Sequence, residues 1–188
     1  HLVHVSSDYV FDGTAELHDE EEAFAPLGVY GQSKAAGDIA VANCPRHYIL
    51  RSSWVIGEGH NFVKTMMMLS NRVADPGDGL NEVTVVDDQY GRLTFTSDMA
   101  DAIFHLLDSG AGYGTYDLTG SGRVESWAGI AKAVFDLTNG NGDRVRPIPT
   151  EEYFANAKNP VSPRPTYSAL NLAKIEATGL RVLIGRSP

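Results

Sequence analysis

The 188 residues hold 15 Lys and Arg against 24 Asp and Glu, a net charge of −9 with no basic cluster. That balance argues against nucleic acid or an anionic membrane surface as partner, because both need concentrated positive charge. With 43% hydrophobic and 21% charged residues the chain can bury a sizeable core as one or two domains of a soluble, intracellular α/β protein.

Periodicity and chain breakers then divide the sequence. An apolar strand over 2–7 leads into an acidic loop over 8–27 and a helix over 28–43. A strand over 47–52, a helix over 61–73, a strand over 83–87 and a helix over 97–109 follow. A strand over 114–119, a helix over 125–138, a short strand near 144–148 and a helix over 150–157 come next. A final short helix falls near 171–177. Strands alternating with helices predict an α/β fold with a parallel sheet. The stretches Asp75-Pro76-Gly77-Asp78-Gly79 and Asn159 to Pro165 read as loops, the second long enough to cover a site.

Two segments carry chemistry. Leu2-Val3-His4-Val5-Ser6-Ser7-Asp8 is an apolar run that ends in hydroxyls and a carboxylate, and the C-terminal ends of parallel strands are where open α/β sheets place ligands. Tyr30 and Lys34 stand four residues apart on the next helix, so both side chains share one face. An ammonium beside a phenol favours the phenolate and makes the Tyr a usable acid or base near neutrality, as hydride transfer to a carbonyl requires.

Six ordered blocks extend this pattern: Ser7-Asp8-Tyr9-Val10-Phe11-Asp12-Gly13, Pro26 to Gly37, Arg51-Ser52-Ser53-Trp54-Val55, Asn61-Phe62-Val63, Asp88-Gln89-Tyr90-Gly91 and Arg164-Pro165. In order and spacing they resemble the dTDP-4-dehydrorhamnose reductase family of extended short-chain dehydrogenases/reductases, from residue 2 to about residue 180. The resemblance implies a Rossmann-like parallel sheet interleaved with a small α/β substrate-binding domain. Residues 1–57, with part of 96–120, would belong to the nucleotide sheet, and 58–95 and 121–188 to the substrate domain. No Gly-x-Gly-x-x-Gly precedes the strand at 2–7, so the sheet is expected to be incomplete at its N-terminus and the chain to be the C-terminal portion of an enzyme. The residues that would select NADH or NADPH are then expected outside it.

Roles follow from the resemblance position by position. Tyr30 would give a proton to the sugar C4 oxygen while a nicotinamide delivers hydride, and Lys34 would hold the nicotinamide ribose and act on the Tyr30 phenol. Ser7, where the family has Thr, would hydrogen-bond the substrate oxygen. Asp8 would bind sugar hydroxyls, and Trp54 would wall the deoxysugar. Asn61 and Arg164 would reach the nucleotide and diphosphate ends, the Arg because its fork matches phosphate oxygens. The implied partners are NADPH or NADH and a dTDP-sugar, and a homodimer stays open. Plainer roles compete: Ser7 and Asp8 as turn caps, Trp54 as core, Asn61 as a helix N-cap and Arg164 as a surface charge.

The rest of the chain adds exclusions. Gly120-Ser121-Gly122-Arg123-Val124-Glu125 imitates a dinucleotide fingerprint, but Glu125 fills its third small position, so a plain strand-to-helix turn is expected. Cys44 is the only cysteine, which excludes a disulfide framework, and it reads as a small buried hydrophobe. The His residues lack His-x-x-x-His spacing, so no catalytic metal is expected. Without an apolar run near ~18 residues or a basic-then-apolar leader, the expected address is the cytoplasm. Met66-Met67-Met68 reads as core packing. The tail from Arg181 departs from the Trp- and Leu-containing helix of the family, which would expose apolar surface in the substrate domain. Two further readings stand beside the reductase. One is a non-catalytic, reductase-like regulatory subunit of the methionine adenosyltransferase beta type; the other is a sibling nucleotide-sugar epimerase or dehydratase. Ser7-Asp8-Tyr9 disfavours the dehydratase, which carries an acidic residue beside the Asp.

Overall fold

Residues 1–182 are described by the structure, a computed structural model. In chain order the elements are β1 (Leu2–Ser7), α1 (Val29–Ala42), β2 (His47–Ser52), β3 (Val55–Ile56), α2 (Phe62–Ala74), β4 (Val83–Val86), β5 (Tyr90–Gly91) and β6 (Thr94–Phe95). They continue with α3 (Thr96–Asp108), β7 (Gly114–Asp117), β8 (Glu125–Ser126), α4 (Trp127–Asn139), β9 (Val145–Ile148), α5 (Thr150–Tyr153) and α6 (Ala173–Glu176). Single 3₁₀ turns follow β1 and α4 at Asp8–Val10 and Gly142–Arg144. The chain divides into two compact units.

The first unit holds residues 1–55 and 91–124 and, of the described residues, 162–182. Its sheet is parallel with strand order β1, β2, β7, and the register sets Ser6 beside Arg51 and Arg51 beside Asp117. β2 is buried from Tyr48 to Ser52, as a central parallel strand covered on both faces must be. Tyr48, Leu50 and Tyr116 of the sheet pack with Ala102 and Leu106 of α3 and with Leu172 and Ile175 at the chain's C-terminal end. Helix α1 differs, since its buried residues are only Gly31, Ala35 and Asp38.

The expected placement of 121–188 in the substrate domain is corrected here for its last part. The segment from 162 is tied to the sheet unit by His18 N–H to the Ala169 carbonyl at 3.0 Å, Asn171 N–H to the His18 carbonyl at 2.7 Å and Tyr167 N–H to the Gly13 carbonyl at 3.1 Å. Leu180 and Val182 pack against the same core, while 183–188, where part of the atypical tail lies, fall outside the described residues.

The second unit, 56–90 and 125–161, pairs β4 with β9 in parallel and packs α2 on α4. Ser126 caps α4 by accepting the Gly129 N–H at 3.0 Å, and Gly140 ends it at φ +67°, a left-handed conformation that glycine adopts without strain. Met66, Val85, Ala128, Ala131, Phe135 and Val145 form the core, whereas Met67 and Met68 are exposed. The three-residue Met stripe is therefore core at one position only, because successive helical residues turn through about 100°. Phe135 is fully buried, so Phe135→Ala should cost about 3–5 kcal/mol in urea unfolding, the range for truncating a core aromatic.

One buried carboxyl makes the first unit pH-sensitive. Asp117 is fully buried with neither carboxyl oxygen partnered, and loss of hydration pushes its pKa up to about 8, with the Glu20 charge adding and Arg51 opposing. Its pKa is 3.8 when solvated, so the folded state holds the proton more tightly. Its contribution to stability is then greatest below about 4, falls through the window from about 4 to about 8 and stays low above. Asp117→Asn should remove that slope, read as the difference between wild-type and variant unfolding free energies across the window.

Candidate active site

β1 ends in Ser7, whose hydroxyl faces two neighbours. It donates to Asp8 Oδ1 at 3.0 Å and accepts the Tyr9 N–H at 3.2 Å, capping the 3₁₀ turn at Asp8–Val10. Asp8 is buried; loss of hydration raises its pKa to about 6, while hydroxyls of Ser168 and Ser7 and the His18 charge pull it down. Asp8 Oδ1 takes the Ser7 hydroxyl, and its buried Oδ2 has no hydrogen-bond partner among the described residues.

The same turn seats α1. A Cβ on Gly31 would overlap the Tyr9 carbonyl oxygen and lie 2.9 Å from Pro26 Cβ, so only glycine lets the helix come this close. One residue earlier, Tyr30 is 56% exposed, and its ring meets Tyr9 edge to face at 5.6 Å between centroids. Lys34, one turn further, donates from Nζ to the Val5 carbonyl of β1 at 2.5 Å. The ammonium is thereby held against the strand that carries Ser7, with two of its three donors left for other acceptors.

Tyr9, Tyr30 and Gly31 line a cavity of about 140 Å³ together with Pro163, Arg164 and Pro165. Arg164 Nη1 lies 3.5 Å from the Tyr9 hydroxyl. Burial raises the Tyr9 phenol above its ordinary value, with the Arg164 charge opposing. The structure therefore brings Ser7, Asp8, Tyr30, Lys34 and Arg164 into one neighbourhood around the turn after β1. Tyr9 joins them as a further residue of the site. Its signal was its place directly after Ser7-Asp8.

The other two candidates sit differently. Trp54 holds φ +48°, a left-handed conformation that costs a non-glycine residue about 1–2 kcal/mol and that recurs at functional sites. Its carbonyl accepts the Thr94 N–H at 3.1 Å, and its ring lies so near Gly91 that a Cβ there would be 2.8 Å from Cε2. Asn61, in the second unit, is the N-cap of α2: Oδ1 accepts the Lys64 N–H at 3.1 Å, and Nδ2 donates to the Gly57 carbonyl at 2.7 Å. Its amide is fully used within its own loop, which is the plainer of the two roles. The glycine-rich segment after β7 behaves as a turn, with Gly122 at φ +104° and its carbonyl taking Arg92 Nε at 3.0 Å. Cys44 is half-buried just past α1.

A parallel sheet, a hydroxyl at the end of β1 and a Tyr and Lys on one face of the following helix define a Rossmann-like α/β chain of the short-chain dehydrogenase/reductase type. The family model described as the RmlD substrate binding domain matches residues 1–184, and the chain belongs to that family. Among curated relatives it is 40% identical to a dTDP-4-dehydrorhamnose reductase of Sinorhizobium fredii over 96% of this chain and 61% of the relative. It is 36% identical to the enzyme of that name from Salmonella typhimurium, over 93% and 58%. A crystal structure of dTDP-4-dehydrorhamnose reductase from Bacillus anthracis in complex with NADP superposes with a TM-score of 0.81 at 35% identity, covering 97% of this chain and 60% of that one. The dTDP-glucose 4,6-dehydratase DesIV of Streptomyces venezuelae, at 18% identity and a TM-score of 0.71 over 97% of this chain and 55% of that one, shares the fold. The chain thus spans about three-fifths of the length of the curated relatives it matches.

Proposed function

We propose that these residues form the proton-donating and sugar-facing part of a reductase. It would convert the C4 keto group of dTDP-4-dehydro-β-L-rhamnose to the alcohol of dTDP-L-rhamnose in nucleotide-sugar biosynthesis. The observation that carries this reading is Tyr30, exposed at a cavity edge, on a helix whose Lys34 is fixed to the strand bearing Ser7.

The residues present fit a nicotinamide dinucleotide: Lys34 has donors to spare for ribose hydroxyls, and the Tyr30 ring stands half in solvent beside it. NADPH or NADH, when bound, supplies the hydride. Tyr30 gives its phenolic proton to the C4 oxygen, so the developing alkoxide is never left unprotonated. Ser7 steadies that oxygen by turning its hydroxyl from Asp8 Oδ1 toward it, a rotation about one bond. Arg164 faces the diphosphate, and Trp54 offers an apolar wall to the deoxysugar.

Among the described residues no helix is long and apolar enough to cross a membrane, and no group of three or more His, Cys, Asp or Glu is placed to hold a metal ion. The reading is tested by following NADPH oxidation with dTDP-4-dehydro-β-L-rhamnose in a full-length enzyme carrying this chain. Stoichiometric dTDP-L-rhamnose is the expected product. A folded protein that consumes neither NADPH nor NADH would favour the regulatory-subunit reading instead.

A further inference from the structure

Arg51 opens one of the six motif blocks, yet the reaction just described gives it no task. It is 3% exposed, and its guanidinium reaches α1: Nε donates to Asp38 Oδ2 at 3.0 Å, and Asp38 is 1% exposed. Nη1 donates to the Glu20 carbonyl at 3.3 Å, and the guanidinium carbon lies 5.2 Å from the Phe11 ring centroid and 5.0 Å from that of Phe24. A charge so enclosed is costly to bury unless its geometry is fixed by partners such as these.

We infer that Arg51, acting through Asp38, is a positioning residue that sets the rotation of α1 and so the placement of Tyr30 and Lys34. Asp38 stands four residues after Lys34, one turn along the same side of the helix, and seven after Gly31, the buried neighbour of Tyr30. Elsewhere α1 buries only Gly31, against the Tyr9 carbonyl and Pro26, and Ala35, against Val10, Phe11 and Leu170, so Asp38 is the one buried side chain of its second half. A buried ion pair fixes the rotation there: Arg51 Nε holds one oxygen of Asp38, and His4 Nε2 of β1 lies 3.4 Å from the other. On the same helix Lys34 takes the Val5 carbonyl of β1, so α1 is held from two adjacent strands.

This inference rests on the reductase reading for its catalytic arm, and a second arm stands apart from it. The test, in a full-length enzyme carrying this chain, compares wild type, Arg51→Lys, and the double replacement Arg51→Met with Asp38→Leu, which removes both members of the pair together. Expected for the folded double variant is a kcat about 10²-fold lower, the scale of a misplacement of about 1 Å, with KM for the dTDP-sugar within threefold. Amide exchange over Val29–Ala42 should rise at least about tenfold while β2 amides keep their rates. Arg51→Lys, which keeps the charge and loses the fork, should fall between. Should the double variant fail to fold, Arg51→Lys decides on the same readouts. A folded variant with kcat and α1 exchange unchanged overturns the inference, as does faster exchange throughout the protein with kcat unaltered. If wild type shows no turnover, the reductase reading fails, and the α1 exchange alone decides whether the anchor exists.

Discussion

Tyr30→Phe is expected to lower turnover by about 10²–10⁴-fold, the worth of a positioned proton donor, with little change in fold or in KM for the sugar. The ring that packs edge to face on Tyr9 survives the substitution, and the lost hydroxyl stands on a half-exposed residue at the cavity edge. Structure therefore gives the mutant no reason to unfold, and the loss should appear in kcat. Steady-state kinetics beside a thermal melt check this. A mutant with full turnover would remove Tyr30 from the proton-transfer role, whatever else the site does.

Gly31→Ala should be nearly as damaging to activity, by a different route. The added Cβ overlaps the Tyr9 carbonyl oxygen, which is backbone and cannot swing aside, and it crowds Pro26 Cβ at 2.9 Å. Helix propensity alone would make Ala the better residue by about 1 kcal/mol, so a destabilising result isolates the steric term. Overpacking of this kind costs about 1–3 kcal/mol, and relief requires α1 to lift from the turn after β1. Because Tyr30 is the neighbouring residue, the lift displaces the phenol, and turnover should fall about 10²-fold. Urea midpoints and kinetics on the same preparation separate the two effects. An Ala variant as stable and active as wild type would mean that α1 is not seated as described.

What the sequence revealed depended on how each element is specified. β1 and β2 were legible end to end from their apolar runs, although only β2 is buried along its length, while β1, at the end of the strand order, buries only Ser6 and Ser7. The helices over 62–74, 96–108 and 127–139 showed the 3.6-residue apolar period, and their expected ends fall within two residues of those observed. The two-residue strands Val55–Ile56, Tyr90–Gly91, Thr94–Phe95 and Glu125–Ser126 were not seen, since two residues carry no period. The helix expected over 150–157 stops at Tyr153; none of its residues is buried, so no packed face extends it.

For the site, local spacing placed Tyr30 and Lys34 on one face, and the hydroxyl-rich end of β1 pointed to Ser7 and Asp8. The burial of Asp8 and the capping role of Asn61 depend on three-dimensional neighbours. Asp38 and Arg51 were invisible for a related reason: charge patterns send such residues to solvent, and only pairing across thirteen positions makes their burial tolerable. Likewise nothing local assigned 162–182 to the sheet unit; the contacts from His18 and Gly13 did.

The measurement that bears most directly on the proposed reaction is the fate of a label. A full-length enzyme carrying this chain, given dTDP-4-dehydro-β-L-rhamnose and NADPH deuterated at the nicotinamide C4, should yield dTDP-L-rhamnose with one deuterium at sugar C4 on a single face. Product without deuterium at C4, or deuterium at another carbon, would contradict reduction of the C4 ketone by this site.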